Sequence, residues 1–393
     1  VADLLNFDVD LIFYDTTSLH FEIDEEDPDV APSSEAPDGE EAAAAEPGLR
    51  KRGYSKNGRG DAPQIVVGLA VTRDGLPVRS WVFPGNQSDV TTVEKVKADL
   101  RGWKLNRCVF VGDAGMNSAE NRRTLTLGGG QYILASRLRA GDEVSTEVLT
   151  RAGRYQVVAG NLQVKEVILG DGERRRRFVV CFNPEEAARQ RQHRERVLER
   201  LALELETLRQ PLRGGRHSKR SCHLLTSERY RRYLRQTSRG VLKLDKAAIR
   251  NEAKLDGKWV IESSDDTLTA EDLALGYKQL LRVEQCWRTM KSGLRTRPIF
   301  HRLPHRITAH ISLCVLALLL ERIAEIRSGE TWRNLLDQLD TIKVVEYQRG
   351  DAHIRQTTEV RGRLPEILRR LKVPTPPKLH HIGHASPTNP ARA

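Results

Sequence analysis

The sequence predicts an α/β fold, a mixed β-sheet with helices packed on it. Two observations carry this. Apolar, strand-forming runs recur in LIFY (11–14), QIVVGLAVT (64–72), DGLPVRSWVFPG (74–85), RCVFVGD (107–113) and QYILASR (131–137). Helical segments separate the later ones, so the order reads strand, strand, strand, helix, strand, helix, strand. A length of 393 residues, 39% hydrophobic, is enough for one large domain with an insertion or for two domains.

The first run, Leu11 to Tyr14, is unbroken, as expected of a strand buried on both faces, yet Asp15 follows at once. A carboxylate at the edge of a core needs compensation. Two kinds are open: a turn with Thr16, Thr17 and Ser18, or a cation. Residues 24–50 are acidic and rich in Ala and Pro, which predicts a disordered loop interrupting a hairpin. Strands resume at 64–72 and 74–85 with Asp74-Gly75 as the turn. SDVTTVEKVKADL (88–100) starts on a cap-like Ser88-Asp89 and spaces Val93, Val96 and Leu100 helically. The strand at 107–113 ends on Asp113, with Gly112 and Gly115 allowing a tight turn. A helix near 117–127 and the strand at 131–137 complete the first part, residues 8–137.

Residues 138–262 break the rhythm and read as an insertion, with short strands followed by a charged helical stretch from about 184 to 236. The second part of the core, 263–327, holds a helix with Leu273, Leu275, Leu280 and Leu281. It also holds an apolar helix around ISLCVLALLL (311–320), a run too short to span a bilayer and read as a core helix. A helical region is expected at 328–372 and a disordered tail at 373–393.

Lys and Arg number 64 against 53 Asp and Glu, a net charge of +11 with a pI near 9.5. That excess favours a polyanionic partner, nucleic acid first. Five scattered cysteines without ligand spacing predict a reducing compartment and no structural zinc. No signal peptide opens the chain, so a cytoplasmic protein without a membrane partner is expected.

Asp15 and Asp113 both follow strands, and in an open sheet ligands gather at strand carboxyl ends. The pair either shares one crevice or marks two unrelated turns. In LALGYKQLLRVEQCWRTMKSGLRTRPIFHR (273–302), Tyr277, Glu284 and Lys291 recur every seven residues, close to one face of a continuous helix. They form either a solvated stripe or, given the interleaved Leu281, Val283, Trp287 and Met290, a packed helix with Glu284 reaching a site.

Together, YDTTSLHFE, RGYSKNGRGDAPQIVVGLAV, VGDAGMNS and the Tyr-x6-Glu-x6-Lys segment resemble the DDE-type transposases of bacterial insertion sequences. The group is the IS-four superfamily with its Tyr-Arg-Glu-Lys signature, over roughly residues 8–325. The resemblance implies a ribonuclease-H-like core with a β-rich plus helical insertion between the second and third catalytic acids. Those acids, which are also the metal ligands, would be Asp15, Asp113 and Glu284. Tyr277 and Lys291 complete the signature, whereas Leu280 stands where the family has Arg. The loop at 24–50 looks like an expansion of a shorter connection. Relatives carry a DNA-binding region ahead of the first acidic strand, so the chain reads as a fragment.

The implied chemistry is metal-dependent DNA cleavage and strand transfer with two Mg²⁺ ions, Mn²⁺ substituting, about 3.5–4 Å apart. Hard divalent ions take oxygen ligands; Asp15 would bridge both, Asp113 hold one and Glu284 the other. Lys291, Arg295, Arg297, His301 and Arg302 would grip phosphates beside the site, with Lys51, Arg52 and Lys56 as a second cluster around Tyr54. Double-stranded DNA is the implied partner, bound by a homodimer in the synaptic complex. Two alternatives are a nuclease that hydrolyses without joining and an inactive DNA-binding remnant.

Overall fold

The computed structural model describes residues 11–29, 48–56, 58–102, 108–139, 144–209, 219–238, 240–349 and 352–384. Strands β1 (Leu11–His20), β2 (Gln64–Val71) and β3 (Pro77–Pro84) lead into helix α1 (Asp89–Gly102), then β4 (Val109–Gly112), α2 (Ala119–Thr126) and β5 (Gln131–Ser136). Next come β6 (Gln156–Ala159), β7 (Leu162–Leu169), β8 (Arg176–Phe182), α3 (Pro184–Arg209), α4 (Lys219–Thr226), β9 (Leu234–Gln236), β10 (Leu242–Leu244), α5 (Lys246–Ala253) and β11 (Lys258–Ser263). The remainder is α6 (Ala270–Lys278), α7 (Leu281–Arg288), α8 (Pro304–Ser328), α9 (Trp332–Leu339), β12 (Val344–Arg349), β13 (Ala352–Thr357), α10 (Leu364–Leu371) and β14 (Leu379–His384).

These elements fall into two compact units. Among the described residues, one comprises 11–15 and 88–281, the other 16–87 and 282–384. The chain thus passes from one unit to the other within β1. The α/β class is as the sequence predicts, a large mixed sheet flanked by helices.

In the unit that ends at Leu281, the sheet order is β1-β4-β5-β11-β8-β7-β6. The first three strands are parallel and the rest antiparallel. Phe13, Tyr14, Phe110, Ile133 and Leu134 are almost wholly buried, which is why their runs read as unbroken apolar strands rather than alternating ones. Strands β6, β7, β8 and β11 of residues 138–262 continue this sheet, because β11 pairs with β5 on one edge and β8 on the other, whereas β9 and β10 pair with each other in a separate ribbon. α6 packs across β5, β7, β8 and β11. A second, smaller core gathers Val197, Leu201 and Leu205 of α3 with Leu224, Tyr233 and Leu242.

In the other unit, β2 and β3 form the expected hairpin around Asp74-Gly75, and the Phe21 N–H donates to the Pro63 carbonyl at 2.8 Å. The expected disordered loop at 24–50 falls largely on 30–47, outside the described residues; its two ends are fixed. Asp27 is 8% exposed and accepts the backbone N–H groups of Leu49 and Arg50 at 3.1 and 2.9 Å and the Arg50 guanidinium at 2.7 Å. Burial works against this carboxylate, but the Arg50 hydrogen bonds outweigh it and hold its pKa below the usual range. Gly48 is required at this neck, since a Cβ there would lie 2.4 Å from the Pro28 carbonyl oxygen.

Three expectations in this unit are corrected. α8 is a core helix on one face only: Ile307, Ile311 and Leu318 are buried while Leu313, Leu316 and Leu320 stand 66, 51 and 60% exposed. The apolar run reads as short, but the helix around it has 25 residues, long and apolar enough by length and composition to cross a membrane. Residues 328–372 are not all helical, because the alternating VVEYQR and AHIRQT segments pair as β12 and β13. Part of the expected disordered tail is the strand β14, paired with β13.

Candidate active site

β1 and β4 run parallel with Leu11 opposite Val109, Ile12 opposite Phe110 and Phe13 opposite Val111. Carried two positions on, that register sets Asp15 level with Asp113. Neighbouring strands lie about 4.8 Å apart, so the two carboxylates emerge side by side. β1 does not turn at Asp15, however. Thr16, Thr17 and Ser18 continue it as strand to His20, which overturns the turn reading; β-branched threonines suit extended backbone. Only β4 ends at this level, and Asp113 leads its exit. The Gly115 N–H donates to Asp113 Oδ1 at 2.9 Å and the Met116 N–H to the Asp113 carbonyl at 3.2 Å, which fixes the carboxylate over its own loop.

A third carboxylate, which the sequence reading takes only for a cap, stands beside them. A Cβ on Gly115 would lie 3.1 Å from Asp113 Oδ1 and 3.4 Å from Asp89 Oδ2, so the missing side chain of Gly115 makes room for both acids. Asp89 opens α1. Beneath it, the buried Tyr14 hydroxyl donates to Thr92 Oγ1 at 3.0 Å and Thr92 donates to the Asp89 carbonyl at 2.7 Å. Burial pushes the Tyr14 pKa far above the ordinary tyrosine range; the Thr92 bond pulls against this, and Asp89, Asp15 and Asp113 push it further up. The fields of three carboxylates therefore converge on one phenol. Among the described residues, no three His, Cys, Asp or Glu side chains are grouped closely enough to hold a metal ion.

The loop after Asp113 is tied to a buried acid that the sequence does not advertise. Glu262 of β11 is fully buried and accepts a two-pronged bond from Arg176 at 2.8 and 2.9 Å. Arg122 lies 3.4 Å away, and Tyr132 and Asn117 donate at 3.4 Å. Asn117 also donates to the Ala135 carbonyl at 2.9 Å and accepts from Arg122. Strands β5, β8 and β11, helix α2 and the DAGMNS loop thus share one ionic knot. Tyr277, on α6 of this unit, is half-buried.

In the other unit, Lys56 and Lys291 converge on Thr16 and Thr17. Lys56 Nζ donates to the Thr16 carbonyl at 2.8 Å and to its hydroxyl at 2.7 Å, and Lys291 Nζ donates to Thr17 Oγ1 at 2.6 Å. Arg297 reaches His20 at 3.5 Å. Lys51 and Arg52 serve the loop neck instead. Lys51 is 8% exposed and paired with Asp29 at 2.6 Å, while Arg52 holds the Asp61 and Asp24 carbonyls. Acidic residues of 24–29 thus stand beside both cations, Asp29 by Lys51 and Glu26 by Arg52. Arg295, His301 and Arg302 are exposed, with the His301 ring tilted against that of His310, 5.4 Å between centroids.

Glu284 sits exposed in the first turn of α7, whose buried face is Val283, Cys286 and Trp287, where a carboxylate suits the positive helix end. The expected continuous helix from 273 to 302 is interrupted. Gln279 and Leu280 bond three residues back, to Gly276 and Tyr277, and α7 passes into a π-helical turn at Thr289–Gly293 that carries Lys291. The seven-residue spacing therefore does not place Tyr277, Glu284 and Lys291 on a single helical face. Leu280, at the signature Arg position, is packed at 8% exposure.

The family profile described as the transposase DDE domain matches residues 36–320. The chain belongs to the transposase DDE domain family. The matched stretch includes Asp113 and Glu284 and leaves Asp15 upstream of it. A cryo-EM structure of the piggyBac transposase synaptic complex with hairpin DNA is similar at a TM-score of 0.40 and 9% identity, over 84% of this chain and 52% of that one. The chain thus spans about half the length of that solved protein. No curated protein matches it.

Proposed function

We propose that the chain is the catalytic core of an insertion-sequence transposase that cuts double-stranded DNA and joins the end to a target, as a homodimer on paired ends. The observation that carries the reading is the level placement of Asp15 and Asp113 on adjacent parallel strands, within a chain of the DDE family. Both are carboxylates, hard oxygen donors of the kind Mg²⁺ and Mn²⁺ take, and they would hold the ion pair with Glu284 as the third acid. Bound there, divalent ions acidify the attacking water or hydroxyl and offset charge at the phosphorus.

The protein's own contribution is positional. The Gly115 N–H fixes one oxygen of Asp113, and the Tyr14–Thr92 bonds hold the start of α1 that carries Asp89. Lys56 holds the Thr16 backbone and Lys291 the Thr17 hydroxyl, both just after Asp15. With Arg295, Arg297, His301 and Arg302, they are the cations assigned to DNA phosphates.

The test incubates the chain with supercoiled plasmid, with and without Mg²⁺ or Mn²⁺. Nicking and joined products only with metal are expected; cleavage without joining supports a nuclease instead, and no cleavage with either ion ends the reading. A sharper probe is Gly115→Ala. Its methyl must push the Asp113 carboxylate, 3.1 Å away, by a few tenths of an ångström, so cleavage should fall about tenfold or more while the melting temperature holds.

A further inference from the structure

The small core built on α3 carries a cavity of about 490 Å³ far along the sequence from the acidic residues. Its lining sets Leu205 and Leu244 beside Arg235, Lys243 and Lys246 and the acids Glu206 and Asp245. The Asp245 carboxylate is engaged as the cap of α5, accepting the Ala247 and Ala248 N–H groups at 2.9 and 3.0 Å. Within the β9–β10 hairpin, Lys243 pairs directly opposite Arg235. Like charges across a strand pair cost stability, and neither side chain has an ion pair or hydrogen bond among the described residues.

Their neighbours are treated differently. Arg194 is paired with Asp256, Arg220 with Glu204 at 2.6 Å and Arg232 with Glu252 at 3.6 Å. Three cations near this core thus have carboxylate partners, whereas the opposed pair that lines the cavity has none among the described residues.

We propose that this cavity seats phosphates of a nucleic-acid strand, with Arg235, Lys243 and Lys246 as its cationic contacts. A bound phosphodiester removes the cross-strand repulsion, and three cations spaced along a hairpin and a helix start suit successive phosphates better than one compact anion. The site deepens the transposase reading and rests on it, because it supplies DNA contacts remote in sequence from Asp15 and Asp113.

The test uses the full chain and a fluorescent duplex of about 20 base pairs, titrated between about 50 and 200 mM KCl. Lys243→Glu turns a like-charge pair into an opposite-charge one, so its melting temperature should hold or rise. Its DNA affinity should fall roughly ten- to a hundredfold, and the slope of log affinity against log salt should drop by about two. Arg235→Ser, which relieves the same repulsion without adding an anion, should lose about half as much. Parent-like affinity and slope in both variants overturn the proposal, as does lower stability in both, which would make the pair structural. Inorganic phosphate competing at low millimolar concentration while the variants bind duplex normally would reassign the cavity to a free anion and overturn it too. A parent chain that binds no duplex at about 50 mM KCl sinks the transposase reading together with this site; unchanged variants of a binding parent sink this site alone.

Discussion

Asp113→Asn is expected to lower metal-dependent DNA cleavage at least about a thousandfold, roughly 4 kcal/mol of transition-state stabilisation, while duplex affinity stays equal or rises slightly. The amide keeps the shape of the side chain and an oxygen to accept the Gly115 N–H, so the loop should hold. What it loses is the anionic oxygen that a divalent ion needs. The asymmetry makes the test specific. A merely structural aspartate would lose activity through unfolding, visible in the melting temperature, and removing one negative charge beside DNA phosphates can only help binding. Asp15→Asn should behave the same way, since the two strands present the residues at one level. Parent-like cleavage in both variants would remove the pair from the chemistry.

Glu262→Ala should be among the most damaging single changes outside that pair, costing about 3–5 kcal/mol by leaving Arg176 and Arg122 without their buried counter-charge. For a unit of this size the melting temperature should fall on the order of 10 °C. Combining Glu262→Leu with Arg176→Met removes two of the three charges and leaves Arg122 its bond to Asn117, so it should recover a large part of the loss, because replacing a buried pair costs far less than orphaning one member. A drop below about 1 kcal/mol would show that water already reaches the knot.

The sheet was legible where burial imposed unbroken apolar runs: β1, β4 and β5 stand where LIFY, VFVG and QYILAS predict them. So was the position of Asp15 and Asp113 beside those runs, because a carboxylate next to such a run demands compensation. Continuity was harder to read. Seven-residue spacing cannot distinguish one helix from α6 and α7 separated at Gln279 and Leu280, since the apolar rhythm runs across the break. Asp89 was hidden by its competence as a cap, a role that Ser-Asp before a helix fills in many folds. Glu262 was hidden by distance, because its partners Arg176, Arg122, Tyr132 and Asn117 come from four separate segments. The partners of Lys51 and Arg52 were hidden for a related reason: an acidic stretch more than 20 residues upstream supplies them, Asp29 and Glu26.

The clasp of Asp27 on Leu49 and Arg50 joins points 22 and 23 residues apart in sequence, so the approach of the chain to β2 is set locally. A change that removes this carboxylate takes the acceptor from two backbone N–H groups and the Arg50 guanidinium at once, and that entry into the hairpin is loosened as a unit.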